Sequence, residues 1–486
     1  LTELVVVVGV VAIILTGAAL ASGIVDRAPL SFPLLFLGLG FLVGPLGLNW
    51  LDLDPHTPLL EVVATVSLAL VLFLDAVNLQ LDELRRDWYV PLLTLGPGTL
   101  LVIGGIAVAA IGLVGVAPVE ALLVGAVLAS TDPVVLRDVV RDGRIPRSVR
   151  RALSVEAGTN DIVVLPIVLI LIAALRAEAG SLGEWALFLA RLLVLSPLVG
   201  LAVGGAGAWL IAKADAAFGI RREYQALYGI GLVLAAFAAG AAVRGDGFLA
   251  AFFAGLGITL FNGSLCDCFL DYGAVTAEMM MLLAFVLCGV VLSTLLGTIP
   301  LGPALALAVV ALGVVRPAAL ALVLLRARMS ATARLFIGWF GPRGLSSLLL
   351  ALLVVQAGVP AADSLLALVG AVVVVSVLVH GATATPLAAL YGRRLVAEGV
   401  TLAEERESTF VGLFEDDPRE IARISPEELR RLLGGPSPPV ILDVRSRAQY
   451  DADDGQIPGS IRVLPDEIDE WMAQARRDRL VVTYCT

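Results

Sequence analysis

The chain has 486 residues, of which 59% are hydrophobic and only 16% charged, with a mean hydropathy of +0.95. Soluble globular proteins carry roughly a quarter charged residues, so an ordinary soluble fold is excluded for most of the length. The formal charge of -10 comes largely from an acidic tail, so it does not imply a nucleic-acid partner, and none is expected.

The apolar character runs from residue 1 to about 395, broken by short polar loops, and stops there. A helix needs about 20 apolar residues to cross a bilayer. On that length thirteen spans are expected, near 4–22, 31–49, 58–78, 91–115, 118–136, 150–175, 185–211, 222–241, 247–262, 276–296, 301–325, 333–356 and 364–391. The first has no basic flank before it and reads as a span, not a signal peptide. Loops after odd-numbered spans hold seventeen Lys and Arg, against two after even-numbered spans. Positive loops stay inside. The N-terminus is therefore expected outside the cell membrane and the C-terminal tail in the cytoplasm.

Two spans break their own pattern. The fifth contains Ser130-Thr131-Asp132-Pro133, and the twelfth contains Gly341-Pro342-Arg343-Gly344. Proline removes a backbone donor and disturbs a helix. If spans one to six and eight to thirteen are two halves, the breaks fall at matching places. That is the signature of an inverted-repeat transporter with its site at the broken helices. The sixth span holds Glu156, Asn160 and Asp161. Glu156 and Asn160 are four apart and share a helix face.

Ionisable groups inside spans are costly and point to function. Carboxylates with Thr and Asn oxygens supply the hard ligands a cation needs. Plainer readings stand beside this one. Thr-Asp-Pro also makes turns and helix caps, Asn160-Asp161 could be an interhelical hydrogen-bond pair, and a buried Glu–Arg pair can simply tie two helices together. Asp75, Asp271 and Glu278 lie near span ends and read as interfacial. The four cysteines show no framework spacing, so disulfides are not expected.

Five segments occur in order: Thr131-Asp132-Pro133, Glu156 with Asn160-Asp161, Gly245 to Gly255, Gly341-Pro342-Arg343-Gly344, and His380-Gly-Ala-Thr-Ala-Thr-Pro386. Together they resemble the landmarks of NhaP/NHE-type monovalent cation:proton antiporters, across nearly the whole membrane domain. The resemblance implies an all-α polytopic membrane fold and a homodimer, each protomer with a dimerisation domain and a moving six-helix core. It implies exchange of Na⁺ or K⁺ for H⁺ with no cofactor. Asp161 would hold either a proton or the cation, and Thr131, Asp132, Glu156 and Asn160 would complete the site. Arg343 would hold Glu156 or balance charge nearby. Asn160 stands where electrogenic relatives have a second aspartate, which implies electroneutral exchange. Ala157 and Ile162 depart from the residues many relatives carry there.

The remainder divides into an acidic linker at 396–422 and a small α/β piece at 423–486. Ile424-Ser425-Pro426 begins a short helix with Ser425 as its cap. Val440 to Arg445 and Leu480 to Cys485 read as strands, with a turn at 455–460 between them. This order resembles a rhodanese-like domain, cut short after Cys485. The family's sulfur-carrying nucleophile would be Cys485, although Gln456 replaces the usual His. Two other function classes are thus a membrane-tethered sulfurtransferase, which needs far fewer spans, and a cation channel gated by its tail.

Overall fold

A computed structural model describes residues 32–79, 89–397 save 143, 179, 262 and 328, then 426–434, 438–444, 456–463, 471 and 480–484, with isolated positions before 32. Most of the expected first span, the linker beyond Ala397, the Ser425 cap and Cys485 lie outside the described residues. The chain separates into two compact units, Leu1–Leu413 and Phe414–Thr486.

The first unit is helical. In chain order it contains α1 (Phe32–Val43), α2 (Pro58–Val77), α3 (Tyr89–Val114), α4 (Pro118–Ala129), α5 (Pro133–Arg141), α6 (Arg147–Leu175), α7 (Leu182–Phe218) and α8 (Arg222–Ala242). There follow α9 (Gly247–Phe261), α10 (Gly263–Leu295), α11 (Leu301–Arg326), α12 (Ala331–Trp339), α13 (Leu345–Gln356) and α14 (Ala362–Ala397). Eight helices among the described residues are long and apolar enough to cross a membrane. Four shorter apolar ones, α1, α4, α9 and α13, accompany them. The last two of these are the short ninth span and half of the broken twelfth. The chain is a multi-pass membrane protein.

Helices are the only open-chain way to carry a backbone through lipid, because every N–H and C=O must find a partner. Small residues let these helices approach closely. At Gly200 and Gly204 of α7 a side chain would run into the backbone of Ala250 and Ala254 on α9. Gly40 of α1 and Gly289 of α10 face each other in the same way.

Three helices carry a π-turn: Thr94–Gly98 in α3, Arg191–Leu195 in α7 and Ala311–Val315 in α11. A π-turn leaves a carbonyl without its usual donor. The Thr99 hydroxyl donates to Thr94 O at 3.2 Å, and that of Ser196 to Arg191 O at 2.8 Å. Each bulge is thus followed by a buried polar residue: Thr99, Ser196 and Arg316. Such bulges are frequent at functional sites, and two of these three residues reach the site below.

The second unit contains α15 (Pro426–Leu433) and a parallel sheet of β1 (Val440–Asp443), β2 (Ile461–Arg462) and β3 (Val481–Tyr484) in the order β2-β1-β3. The two expected strands are present. The two-residue β2 was too short to give a pattern. The Tyr484 hydroxyl donates to Asp443 Oδ2 at 2.9 Å, which locks the carboxyl ends of β1 and β3 together.

Candidate functional site

The two broken helices meet at their breaks. Pro133 forces the residue before it into extended backbone, and Asp132 sits there at φ -98, ψ 116. Asp132 N–H donates to Pro342 O at 2.9 Å, a backbone bond from one break to the other. Asp132 Oδ1 accepts from Val134 N at 2.8 Å, and Oδ2 accepts from Leu345 N at 2.8 Å. One carboxylate therefore caps the N-termini of both α5 and α13, where helix dipoles favour negative charge.

The C-terminal ends are capped by the same logic. Ala129 O, the last carbonyl of α4, accepts from Asn160 Nδ2 at 2.7 Å and from Arg343 Nη1 at 2.7 Å. Ser130 O accepts from the same Nη1 at 2.9 Å. At the other break, Trp339 O, the last carbonyl of α12, is met by His380 Nε2 at 3.0 Å, and Phe340 O accepts from Arg316 Nη2 at 3.2 Å. Asn160 is thus matched by His380, and Arg343 by Arg316. The two broken segments have no visible sequence likeness, yet their carbonyl ends carry equivalent caps.

The motif glycines follow from this geometry. A Cβ at 344 would land on the Asp132 carboxylate, and one at 341 on the Arg316 guanidinium. Only glycine lets the backbone of the second break lie against both charged groups.

Asp161 stands beside the first break. It is 3% exposed, and its Oδ1 accepts from Ser130 Oγ at 2.5 Å. The Ser346 hydroxyl and the Asp132 carboxylate also act on it. Its Oδ2 is buried with no hydrogen-bond partner. The neighbouring Asn160 is engaged on both sides: its Nδ2 also reaches Thr131 Oγ1 at 3.3 Å, and its Oδ1 lies 3.4 Å from Thr99 Oγ1, whose one hydrogen it shares with Thr94 O.

Glu156 leaves this group. Its Oε1 pairs with Arg316 Nη1 at 2.7 Å, both side chains being 3% exposed. Arg343 therefore does not hold Glu156. It lies within electrostatic reach of it, but its hydrogen bonds, both from Nη1, go to the carbonyl end of α4, where a cation is favoured, and its Nε and Nη2 are buried with no hydrogen-bond partner.

The expected residues are thus gathered at one place, with divided tasks. Asp161, Thr131, Asn160 and Asp132 meet at the first break, and Glu156 serves the second. Sequence reasoning missed Ser130, Ser346, Arg316 and Asp75. Arg316-Pro317 in the middle of an apolar span was a visible signal. Asp75, read as interfacial, lies within electrostatic reach of Asp161 and Asp132. Ser130 and Ser346 carried no signal, because serines are common in membrane helices.

Comparison with known proteins gives the family and the fold. A family model described as "Sodium/hydrogen exchanger, transmembrane" matches residues 11–390, and one described as "Rhodanese-like domain" matches residues 425–486. The K(+)/H(+) antiporter NhaP of Alkalimonas amylolytica is 28% identical over 398 residues, covering 79% of this chain and 66% of that protein. The K(+)/H(+) antiporter NhaP2 of Shewanella sp. (strain MR-4) is 29% identical over 385 residues, covering 77% of this chain and 65% of that protein. The chain therefore spans slightly less than two thirds of these relatives. The solved structure of the sodium proton antiporter MjNhaP1 from Methanocaldococcus jannaschii at pH 8 superposes with a TM-score of 0.69 at 20% identity. It covers 80% of this chain and 99% of its own.

Proposed function

The chain belongs to the sodium/hydrogen exchanger family, and on that premise we propose that it is a secondary antiporter trading Na⁺ or K⁺ for H⁺ at Asp161. The observation that carries this reading is the unpartnered, buried Oδ2 of Asp161 at the crossing of two broken helices. A charged carboxylate is costly in a low-dielectric interior. A proton removes that charge, and a bound monovalent cation balances it. The two therefore compete for one group. If the core moves only when the charge is neutralised, exchange is obligatory, and rigid-body rocking of one bundle alternates access.

Ser130 and Ser346 supply neutral oxygens at Asp161, and Thr131 supplies one beside Asn160. Asp132 accepts from two backbone N–H groups and frames the crossing instead of turning over with each cycle. Asn160 gives its amide to Ala129 O and Thr131, so Asp161 is the single carboxylate of the Asn160-Asp161 pair. This supports electroneutral exchange, one proton for one cation. The membrane domain has thirteen spans in this reading, occupies residues 1–395, places its N-terminus outside and its tail in the cytoplasm, and works as a homodimer. An acidic linker at 396–422 leads to a rhodanese-like domain at 423–486, in which Cys485 is the candidate sulfur carrier.

The test is exchange by the purified full chain in proteoliposomes, with Na⁺, Li⁺ and K⁺ compared across pH. A pH gradient is expected to drive cation uptake, and clamping the membrane potential is expected to leave the rate unchanged. Cation flux without counter-movement of protons would favour a channel, and a rate that follows the potential would exclude electroneutrality.

A further inference from the structure

The helices of the first unit sort by packing into two bundles. In one, α1, α2 and α7–α10 pack on each other, and in the other α3–α6 and α11–α14 do so. The candidate site lies in the second bundle. The first bundle meets it through α2, which packs on α6 and α13. Ala64, Leu68 and Asp75 of α2 stand at positions i, i+4 and i+11, so they share one face. Asp75 lies within electrostatic reach of Asp161 and Asp132, so that face looks at the second bundle. Ala64 and Leu68 are 4% and 1% exposed, whereas Asp75, near the other end of the helix, is only half-buried. The joint between the bundles is therefore shut at the Pro58 end of α2 and reached by solvent at the Val77 end. In the orientation proposed above, the shut end faces outside.

At that shut end a polar pair spans the joint. His56, just before α2, places its Nε2 3.4 Å from Asp363 Oδ1 on α14. Each partner is fixed to its own bundle. Leu51, Leu53 and Pro55 of the segment before α2 are buried. Asp54 Oδ1 accepts from His56 N–H at 2.8 Å, and Asp54 O accepts from Thr57 N–H at 3.0 Å. Asp363 stands in the first turn of α14, where the helix dipole favours a negative charge. Deeper in the same joint the packing is tight, since a Cβ at Gly370 of α14 would land on the Leu292 side chain of α10. The pair itself is about half-exposed on both sides. An ion pair in water is weak, which suits a contact that is broken and remade in every cycle.

We propose that His56 and Asp363 form an outer latch: the pair ties the two bundles across the closed outer mouth of the ion route, and it parts each time the bundles rock to open that mouth. The inference rests on the antiport reading above, because alternating access is what requires the mouth to open. The latch lies at the far end of α2 from Asp75 and does not touch the ion.

The experiment has two arms, both in the full-length protein with Cys266, Cys268, Cys288 and Cys485 changed to Ala. In the first, H56C/D363C is joined by a short bifunctional methanethiosulfonate, and exchange of Na⁺ and K⁺ is measured in proteoliposomes. Exchange is expected to fall by about tenfold or more when the bundles cannot part, and to return when a reductant cuts the link. The single variants H56C and D363C, treated alike, should keep their rate. In the second arm, A64C reports the outer mouth through its reaction with a membrane-impermeant maleimide added from outside. H56D sets two carboxylates against each other and is expected to speed that reaction by about threefold, on the scale of an exposed ion pair. H56D/D363H rebuilds the pair in reverse and should return the reaction to its starting rate. Unchanged exchange by protein that mass spectrometry shows to be linked overturns the proposal, as does equal labelling of A64C with and without H56D. Failure of wild type to exchange at all would instead sink the antiport reading, and the labelling arm would still decide whether the pair holds the mouth shut.

Discussion

Asp161→Asn is expected to abolish exchange and leave the protein folded. The substitution keeps the volume, and the amide oxygen can still accept from Ser130 Oγ. Only the charge is removed, and with it the group that, in the proposed antiport, a proton or a cation neutralises. A neutral amide at the crossing offers no reason for the two ions to exclude each other. Stability should change by no more than about 1 kcal/mol, the net worth of an ordinary hydrogen bond. Asp132→Asn should behave in the opposite way. Both Asp132 oxygens accept from backbone N–H groups, at 2.8 Å each, and an amide has only one oxygen. One helix N-terminus would lose its cap and face an NH₂ group. A loss of about 2–3 kcal/mol is expected, the scale of a hydrogen bond to a charged group. The measurements are pH-gradient-driven cation exchange in proteoliposomes and thermal unfolding in detergent. Retained exchange by the Asp161 variant would defeat the central assignment. Equal stability of the two variants would defeat the division of labour between the carboxylates.

This division shows what the sequence could reveal. Spans, breaks and the identity of the site helices were legible because lipid imposes coarse rules: about 20 apolar residues, costly charges, and Pro or Gly where a helix stops. Asp132, Glu156, Asn160, Asp161 and Arg343 stand out as polar residues in apolar text. Their partners do not stand out. Which cation meets Glu156 depends on the π-turn at Ala311–Val315, directly before Arg316, and on the empty space left by Gly341. Neither has a residue pattern that can be read before the backbone is known. The matched caps Asn160 and His380 were hidden for a related reason. An amide and an imidazole serve the same carbonyl position at the two breaks, so the likeness of the breaks lies in geometry and not in residue type. In the C-terminal unit, β1 and β3 were legible as apolar runs, and β2 was not, because two residues carry no period.

The Glu156–Arg316 pair yields the other large effect, and its sign distinguishes a structural tie from an ion ligand. Both groups are almost fully buried, and their contact is 2.7 Å. Removing one partner of a buried pair leaves an uncompensated charge, which typically costs about 3–5 kcal/mol. Glu156→Gln and Arg316→Gln should therefore each lower the thermal stability strongly. Arg316→Gln should do more damage, because Arg316 also holds Phe340 O at the second break. The double variant Glu156→Gln/Arg316→Gln restores neutrality and can rebuild an amide–amide contact, so it should be more stable than either single variant. A thermodynamic cycle over these variants should give a coupling of about 2 kcal/mol or more, within the range for residues in direct contact. The same cycle with Arg343→Gln in place of Arg316→Gln should give a smaller coupling, since Arg343 shares no hydrogen bond with Glu156. If the double variant also recovers exchange, Glu156 acts by holding α6 to the second broken helix. If stability returns and exchange does not, the Glu156 charge takes part in moving the ion, and its unpartnered Oε2 is the atom through which it does so. Additive losses of stability across the cycle would mean that the pair is not a working unit.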